Sequence, residues 1–183
     1  INNGSIPSLD AKIMDYFDEY ESSTPDPRRN AMTIRDVLTM TTGIQWDESS
    51  MPYTDPTSNC VQMEESQDWI QYVIDQPMAF EPGEKYEYNS GATMLLSYLI
   101  NKTTGQDLAD YVKTNLFEIL GIKDYYWKHT PTGLTDAEGG LYLSSRDLAK
   151  FGYLYLHNGK WDSNQILPEN WVENTQAKPV DTI

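Results

Sequence analysis

The 183-residue chain has one cysteine, two histidines and only 13 basic residues. With Cys60 alone, neither an internal disulfide nor a multi-cysteine metal site can form. His129 and His157 offer no metal-ligand spacing, and both are expected on solvated loops, so no metal and no cofactor is expected. Against the 13 Lys and Arg stand 28 Asp and Glu, a formal net charge of −15. A chain so charged is repelled by a phosphate backbone or an anionic membrane surface, so no nucleic acid is expected as a partner. Long apolar runs are missing too: Met94–Leu95–Leu96 is far shorter than the ~20 residues a membrane helix requires, so no membrane segment is expected.

What the chain does have is aromatic mass, 13 Tyr, 5 Trp and 4 Phe. That is too much for a disordered acidic tail, so a packed core is expected, with the acidity on its surface. At 183 residues it is sized for one domain. It opens on Ile1–Asn2–Asn3–Gly4 in the manner of a turn, which leads us to expect a processed or excised piece of a longer polypeptide. Two sequons, at Asn3 and Asn101, are short enough to occur by chance and carry no weight.

Apolar spacing and cap residues predict a helix from about Leu9 to Tyr20, opened by Ser8. Thr33 with Asp36 resembles a capping box before Ile34, Val37 and Leu38, with Gly43 at the left-handed C-terminus. Residues 45 to 59, without apolar period, read as a long surface loop of the kind that often carries function. Further helices are expected after a Ser66 cap, from Asn89 or Ser90 to about Lys102 with Gly105 as stop, from Asp107 to Leu120 with Gly121 as stop, after a Ser145 cap, and from Pro168. Tyr86–Glu87–Tyr88 is a candidate short strand, residues 123 to 141 are expected to be loop with strand fragments, and His157–Asn158–Gly159 turns the chain. The sum is a mainly α fold with a few short strands.

No Gly-x-Ser-x-Gly elbow and no Gly-x-Gly-x-x-Gly loop is present. The distinctive segment is Pro82–Gly83–Glu84–Lys85–Tyr86–Glu87–Tyr88–Asn89–Ser90–Gly91 and the helix that follows. It resembles the serine β-lactamase and penicillin-binding-protein superfamily, in the class C-like branch that also holds esterases, peptidases and amidases. Thr33–Ile34–Arg35–Asp36–Val37–Leu38–Thr39–Met40–Thr41–Thr42–Gly43 looks like that family's helix and following turn. Gly139–Gly140–Leu141–Tyr142 through Arg146–Asp147–Leu148–Ala149–Lys150–Phe151–Gly152 looks like its later block. The three occur in collinear order across nearly the whole chain.

The resemblance implies a fold and a chemistry. The fold is the helical subdomain and adjoining part of a β-lactamase or transpeptidase-like α/β architecture. In such enzymes a Ser-x-x-Lys serine attacks the carbonyl, a Tyr-x-Asn tyrosine moves its proton, and a Lys/His-Thr/Ser-Gly strand lines the site. Here none of the nine lysines has a serine three residues upstream, and His157–Asn158–Gly159 has Asn where Thr or Ser is wanted. The middle motif remains, with Tyr88 at the catalytic tyrosine position. Ser90 stands where the family often has Asn, and its hydroxyl can still donate and accept. Gly139 and Gly140 are candidate substrate-binding positions, since glycine allows close backbone approach, though a plain turn would use them equally. Tyr86 is expected to be an aromatic anchor.

The expected domain is therefore residues 1–183 as one partial unit, lacking the N-terminal nucleophile helix and the C-terminal sheet. The whole enzyme would cleave small-molecule esters, amides or lactams through an acyl-serine, leaning to esterase or amidase. The piece alone is expected to be inactive, to need the missing remainder of the polypeptide, and to self-associate through faces it leaves open. Export to the cell envelope is implied by the resemblance alone. A noncatalytic helical binding module derived from the same family is the alternative.

Overall fold

The computed structural model describes residues 4–176. Its helices are α1 (Ile34–Leu38), α2 (Asn59–Glu65), α3 (Trp69–Asp75), α4 (Ser90–Thr104), α5 (Leu108–Val112), α6 (Glu118–Leu120), α7 (Ser145–Leu156) and α8 (Trp171–Gln176). Two antiparallel ribbons accompany them: β1 (Tyr125–Trp127) with β2 (Leu141–Leu143), and β3 (Lys160–Trp161) with β4 (Asn164–Gln165). The mainly α fold with short strands is the observed architecture.

The long helix α4 is the central post. Its apolar residues recur at helical spacing, and Ala92, Met94, Leu95, Tyr98 and Leu99 are buried against Ile13, Phe17, Val37, Trp46, Met63, Ile70 and Val73. Asn89 caps it by accepting from the Ala92 N–H, and Gly105, at φ +70°, closes it in the left-handed conformation. A second, smaller core gathers Phe117, Leu120 and Ile122 with Tyr125, Trp127, Leu141, Leu143 and Phe151. The β1–β2 register pairs Tyr125 with Leu143 and Trp127 with Leu141. The alternate residues Tyr126 and Tyr142 therefore face out together, 5.7 Å between ring centroids.

Several expectations are corrected here. Residues 9 to 20 form no long helix; only a 3₁₀ turn, Ile13–Tyr16, is present. The backbone there pairs across to the α1 entry instead, with Ile13 N–H donating to Met32 O, Ile34 N–H to Ala11 O and Arg35 N–H to Leu9 O. Ile13 and Phe17 still reach the core, so burial was served without helical hydrogen bonds. Residues 59 to 65 fold as α2, which starts on Asn59, the last residue of the expected loop. Ser66 closes that helix, and it is Asp68 that caps α3, accepting from Ile70 and Gln71 N–H.

Tyr86–Tyr88 runs outside any strand, with Glu87 N–H donating to Met40 O. The Thr33–Asp36 capping box is present; Met40 (φ 56°) takes the left-handed position nearest the end of α1, and Gly43 (φ 75°) is left-handed three residues further on. Gly43 answers a close approach: a Cβ there would sit 2.4 Å from the Phe80 carbonyl oxygen. The helix expected over Asp107–Leu120 is present, running without a gap from Leu108 to Leu120, with a π-helical turn, Lys113–Phe117, between α5 and α6. Ser144, one residue before the expected cap, accepts from Asp147 N–H to start α7. Tyr86 is no buried anchor: it is exposed on a groove with Leu38, Met40 and Trp171. Nor is all the acidity on the surface, because Glu48 and Asp136 are buried.

Candidate active site at the N-terminus of α4

Tyr88 precedes the Asn89 cap directly, so the turn that starts α4 also sets the phenol. It is 44% exposed and stands on the wall of a cavity of about 340 Å³ that Ser90 and Gly139 also line. Ser90, the first residue of α4, is buried. Its backbone N–H (3.0 Å) and its hydroxyl (2.6 Å) both donate to Oε2 of Glu48. The same oxygen accepts from the indole N–H of Trp46, and Tyr53 donates its hydroxyl to Oε1 at 3.2 Å. A carboxylate 4% exposed is thus compensated by four donors and by the positive end of α4. Trp46 reaches this position because α4 has glycine next: a Cβ at Gly91 would lie 2.6 Å from Trp46 Cη2.

The opposite wall is delivered by the segment before β2, which climbs α4 stepwise. Ser97 donates its hydroxyl to Thr135 O at 2.7 Å, and Ala137 N–H points at the Met94 sulfur at 3.2 Å. Glu138 and Gly139 then arrive beside the α4 N-terminus. Asp136 holds the bend by accepting from Glu138 N–H (3.0 Å) and Gly139 N–H (3.3 Å). Gly140 serves this bend, since a Cβ there would lie 2.5 Å from Asp136 Oδ2, and it lines a neighbouring cavity of about 250 Å³. The structure thus brings Tyr88, Ser90 and Gly139 to one cavity and places Gly140 in the adjoining one.

The chain belongs to the Beta-lactamase family. The family model matches residues 7–179. The 6-aminohexanoate-dimer hydrolase of Paenarthrobacter ureafaciens is 24% identical over 176 residues, covering 90% of this chain and 43% of that protein. A solved Bacillus anthracis protein assigned as a 6-aminohexanoate-dimer hydrolase superposes with a TM-score of 0.77 at 22% identity, over 94% of this chain and 47% of that one. The octameric penicillin-binding protein homologue from Pyrococcus abyssi gives a TM-score of 0.67 at 18% identity, over 98% of this chain and 45% of that one. This chain spans less than half the length of each of these three. At these identities the structural matches establish a shared fold, the β-lactamase and penicillin-binding-protein architecture.

Among the described residues lining the cavity the ionisable groups are all acidic. Burial, then Glu48 and Glu138, push the Tyr88 phenol above its ordinary value, which favours the protonated form. Burial also pushes the Cys60 thiol up to about 12 and the Glu138 carboxyl up to about 7, the latter with help from Glu64 and Asp136. Cys60 donates to Glu138 Oε2 at 3.6 Å. Cys60 and Glu64, one turn apart on α2, and Glu138 bring potential ligand atoms within 4.8 Å of one another. The sequence expectation of no ligand set considered only His and Cys and missed this grouping.

Glu48, Tyr53, Cys60, Glu64 and Glu138 were all missed as site residues. Two signals stood in the sequence: Glu48 and Tyr53 lie in the loop whose length pointed to function, and Glu138 directly precedes Gly139–Gly140. Nothing local ties Cys60 and Glu64 to a site 24 or more residues further on.

Proposed function

We propose that the full-length protein carrying this chain is a serine hydrolase that cleaves an ester, amide or lactam bond through an acyl-serine intermediate. Tyr88 moves the proton. The observation that carries this reading is Tyr88 itself, exposed at the mouth of α4 on the cavity wall shared with Ser90 and Gly139. The names of the relatives, a 6-aminohexanoate-dimer hydrolase among them, support a hydrolytic role.

The chemistry divides between what these residues supply and what they lack. An unperturbed phenol, with a pKa of ~10, is ionised in about one molecule in a thousand at neutral pH. Here burial and the carboxylates raise it further, so the protonated phenol is favoured in this chain. A tyrosine that accepts the nucleophile's proton needs cations nearby. The nucleophile and those cations belong, on this proposal, to a Ser-x-x-Lys helix and a Lys/His-Thr/Ser-Gly strand outside these 183 residues, and the isolated chain does not turn over. The Ser90 hydroxyl is engaged by Glu48, so its part is to fix the α4 entrance against which substrate lies, with Gly139 leaving the opposite wall open.

The test is turnover of p-nitrophenyl acetate and nitrocefin by the full-length protein, with mass spectrometry for the acyl-enzyme. Tyr88→Phe is expected to lower kcat/KM at least about 100-fold without unfolding the protein, as expected for loss of a positioned proton-transfer group. Absence of an acyl adduct with either substrate refutes the proposal.

A further inference from the structure

The hydrogen bonds that place Tyr88 are made by its neighbours along the chain. Before it, Glu87 N–H donates to Met40 O at 2.8 Å. After it, Asn89 Oδ1 accepts from Ala92 N–H at 2.9 Å and closes the first turn of α4. The tie at Ser90 is long-range, its N–H and hydroxyl both donating to Oε2 of Glu48. That carboxylate lines the cavity beside Tyr88, yet its acceptor capacity is engaged, because Trp46 and Tyr53 donate to it as well. These donors match the roughly four acceptor sites of a carboxylate, so little is left for a ligand. Trp46 adds a steric hold one residue further on, its ring lying where a Cβ at Gly91 would come within 2.6 Å. Trp46 and Glu48, from one loop, therefore grip Ser90 and Gly91 of α4 together.

We propose that Glu48 is a positioning residue of this site: without touching substrate, it acts through Ser90 to hold the first turn of α4 in the orientation that presents the Tyr88 phenol to the cavity. The inference rests on the hydrolase reading above and adds the residue on which its proton-transfer group depends. Ser90 stands two positions after Tyr88 and is clamped at both its N–H and its hydroxyl by one oxygen, which leaves the short stretch between them little freedom. Met40 O holds the chain on the other side, at Glu87. Without the Glu48 clamp the entrance of α4 keeps the Asn89 cap and loses its tie to the long loop. A proton-transfer group displaced by about 1 Å can lose about 100-fold in rate, so a clamp two residues away governs turnover without meeting the substrate.

The experiment uses the full-length protein and p-nitrophenyl acetate, with Glu48→Ala, Glu48→Gln and Ser90→Ala each made alone and in a Tyr88→Phe background. Alone, Glu48→Ala is expected to lower kcat about 10- to 100-fold while KM changes less than about threefold, as loss of alignment at a reacting group does. Glu48→Gln keeps an acceptor for Ser90 and recovers most of that loss. In the Tyr88→Phe background, Glu48→Ala costs less than about threefold more, because residues that act as a unit are non-additive. A role confined to the scaffold lowers the rate by the same factor in both backgrounds, and that outcome overturns the inference, as does full activity in Glu48→Ala. If Glu48→Ala does not fold, Ser90→Ala carries the cycle, since it leaves the carboxylate with Trp46, Tyr53 and the residue 90 N–H as donors. Its expected loss in kcat is roughly threefold to tenfold, the worth of about one hydrogen bond, and again only where Tyr88 is present. Equal losses in both backgrounds leave the hydrolase reading standing, whereas no turnover by the parent protein refutes that reading itself.

Discussion

Oε2 of Glu48 accepts both the backbone N–H and the hydroxyl of Ser90, a residue 42 positions further along the chain. This one oxygen ties the long loop to the first turn of α4 and thereby fixes where Tyr88 stands. Bonds to a charged acceptor are the strong ones among protein hydrogen bonds, and their loss strands the donors.

Replacing that acceptor should be costly. In Glu48→Ala the Ser90 N–H, the Ser90 hydroxyl and the Trp46 indole N–H lose their shared partner inside a buried site. The expected loss is about 3–5 kcal/mol of unfolding free energy by urea denaturation. Glu48→Gln keeps an acceptor oxygen and should lose less. A change below about 1 kcal/mol in Glu48→Ala would show that water replaces the carboxylate.

Gly91→Ala tests the packing on the other side of the same turn. Its Cβ would lie 2.6 Å from both Trp46 Cη2 and Val73 Cγ2, closer than carbon atoms approach. In an exposed helix this exchange would stabilise; here overpacking is expected to cost about 1–3 kcal/mol. A gain in melting temperature would refute the geometry.

Glu138 makes stability depend on pH. Its carboxyl is raised from 4.5 to about 7 in the folded protein, mainly by burial, so folding favours its protonated form. The stability this contributes is full below about pH 4.5 and is lost as pH rises to 7 and beyond. Glu138→Gln holds a neutral group at every pH. Its melting temperature should exceed that of the parent at pH 8, and the gap should close at pH 5. An equal gap at both values would contradict the assignment.

Self-association is expected of the isolated chain. Helix α7 turns Phe151 and Leu154 inward, yet its Leu148 and Leu156 stand 64% and 82% exposed. Light scattering at high concentration should report species larger than 21.0 kDa, and Leu148→Lys with Leu156→Lys should reduce them. A clean monomer before substitution would show that this face is content in water.

The parts of the fold legible in the sequence are those whose hydrogen bonds close locally. The Thr33–Asp36 box, the Asn89 cap with its Gly105 stop, and the Gly121 terminus of α6 each involve residues a few positions apart. The Leu9–Tyr20 pattern misled because apolar residues at positions 13 and 17 satisfy the core from either a helix or a cross-chain pairing. Residues 32 to 35 offered the pairing. Ser66 and Ser145 misplaced two helix starts by one or two residues, since neighbouring Asp68 and Ser144 compete for the same role.

Tyr88, Ser90 and Gly139 were named from a motif, and a motif is a local string. The sequence by itself determined the helical post α4, its cap and the presence of a phenol beside that cap, because short-range spacing dictates them. Only the tertiary structure decided that Glu48, Glu64 and Glu138, from three separate segments, converge on that phenol. Their convergence depends on long-range contacts such as Ser97 to Thr135 and Glu48 to Ser90. No local periodicity encodes such contacts; chain closure around a shared core creates them.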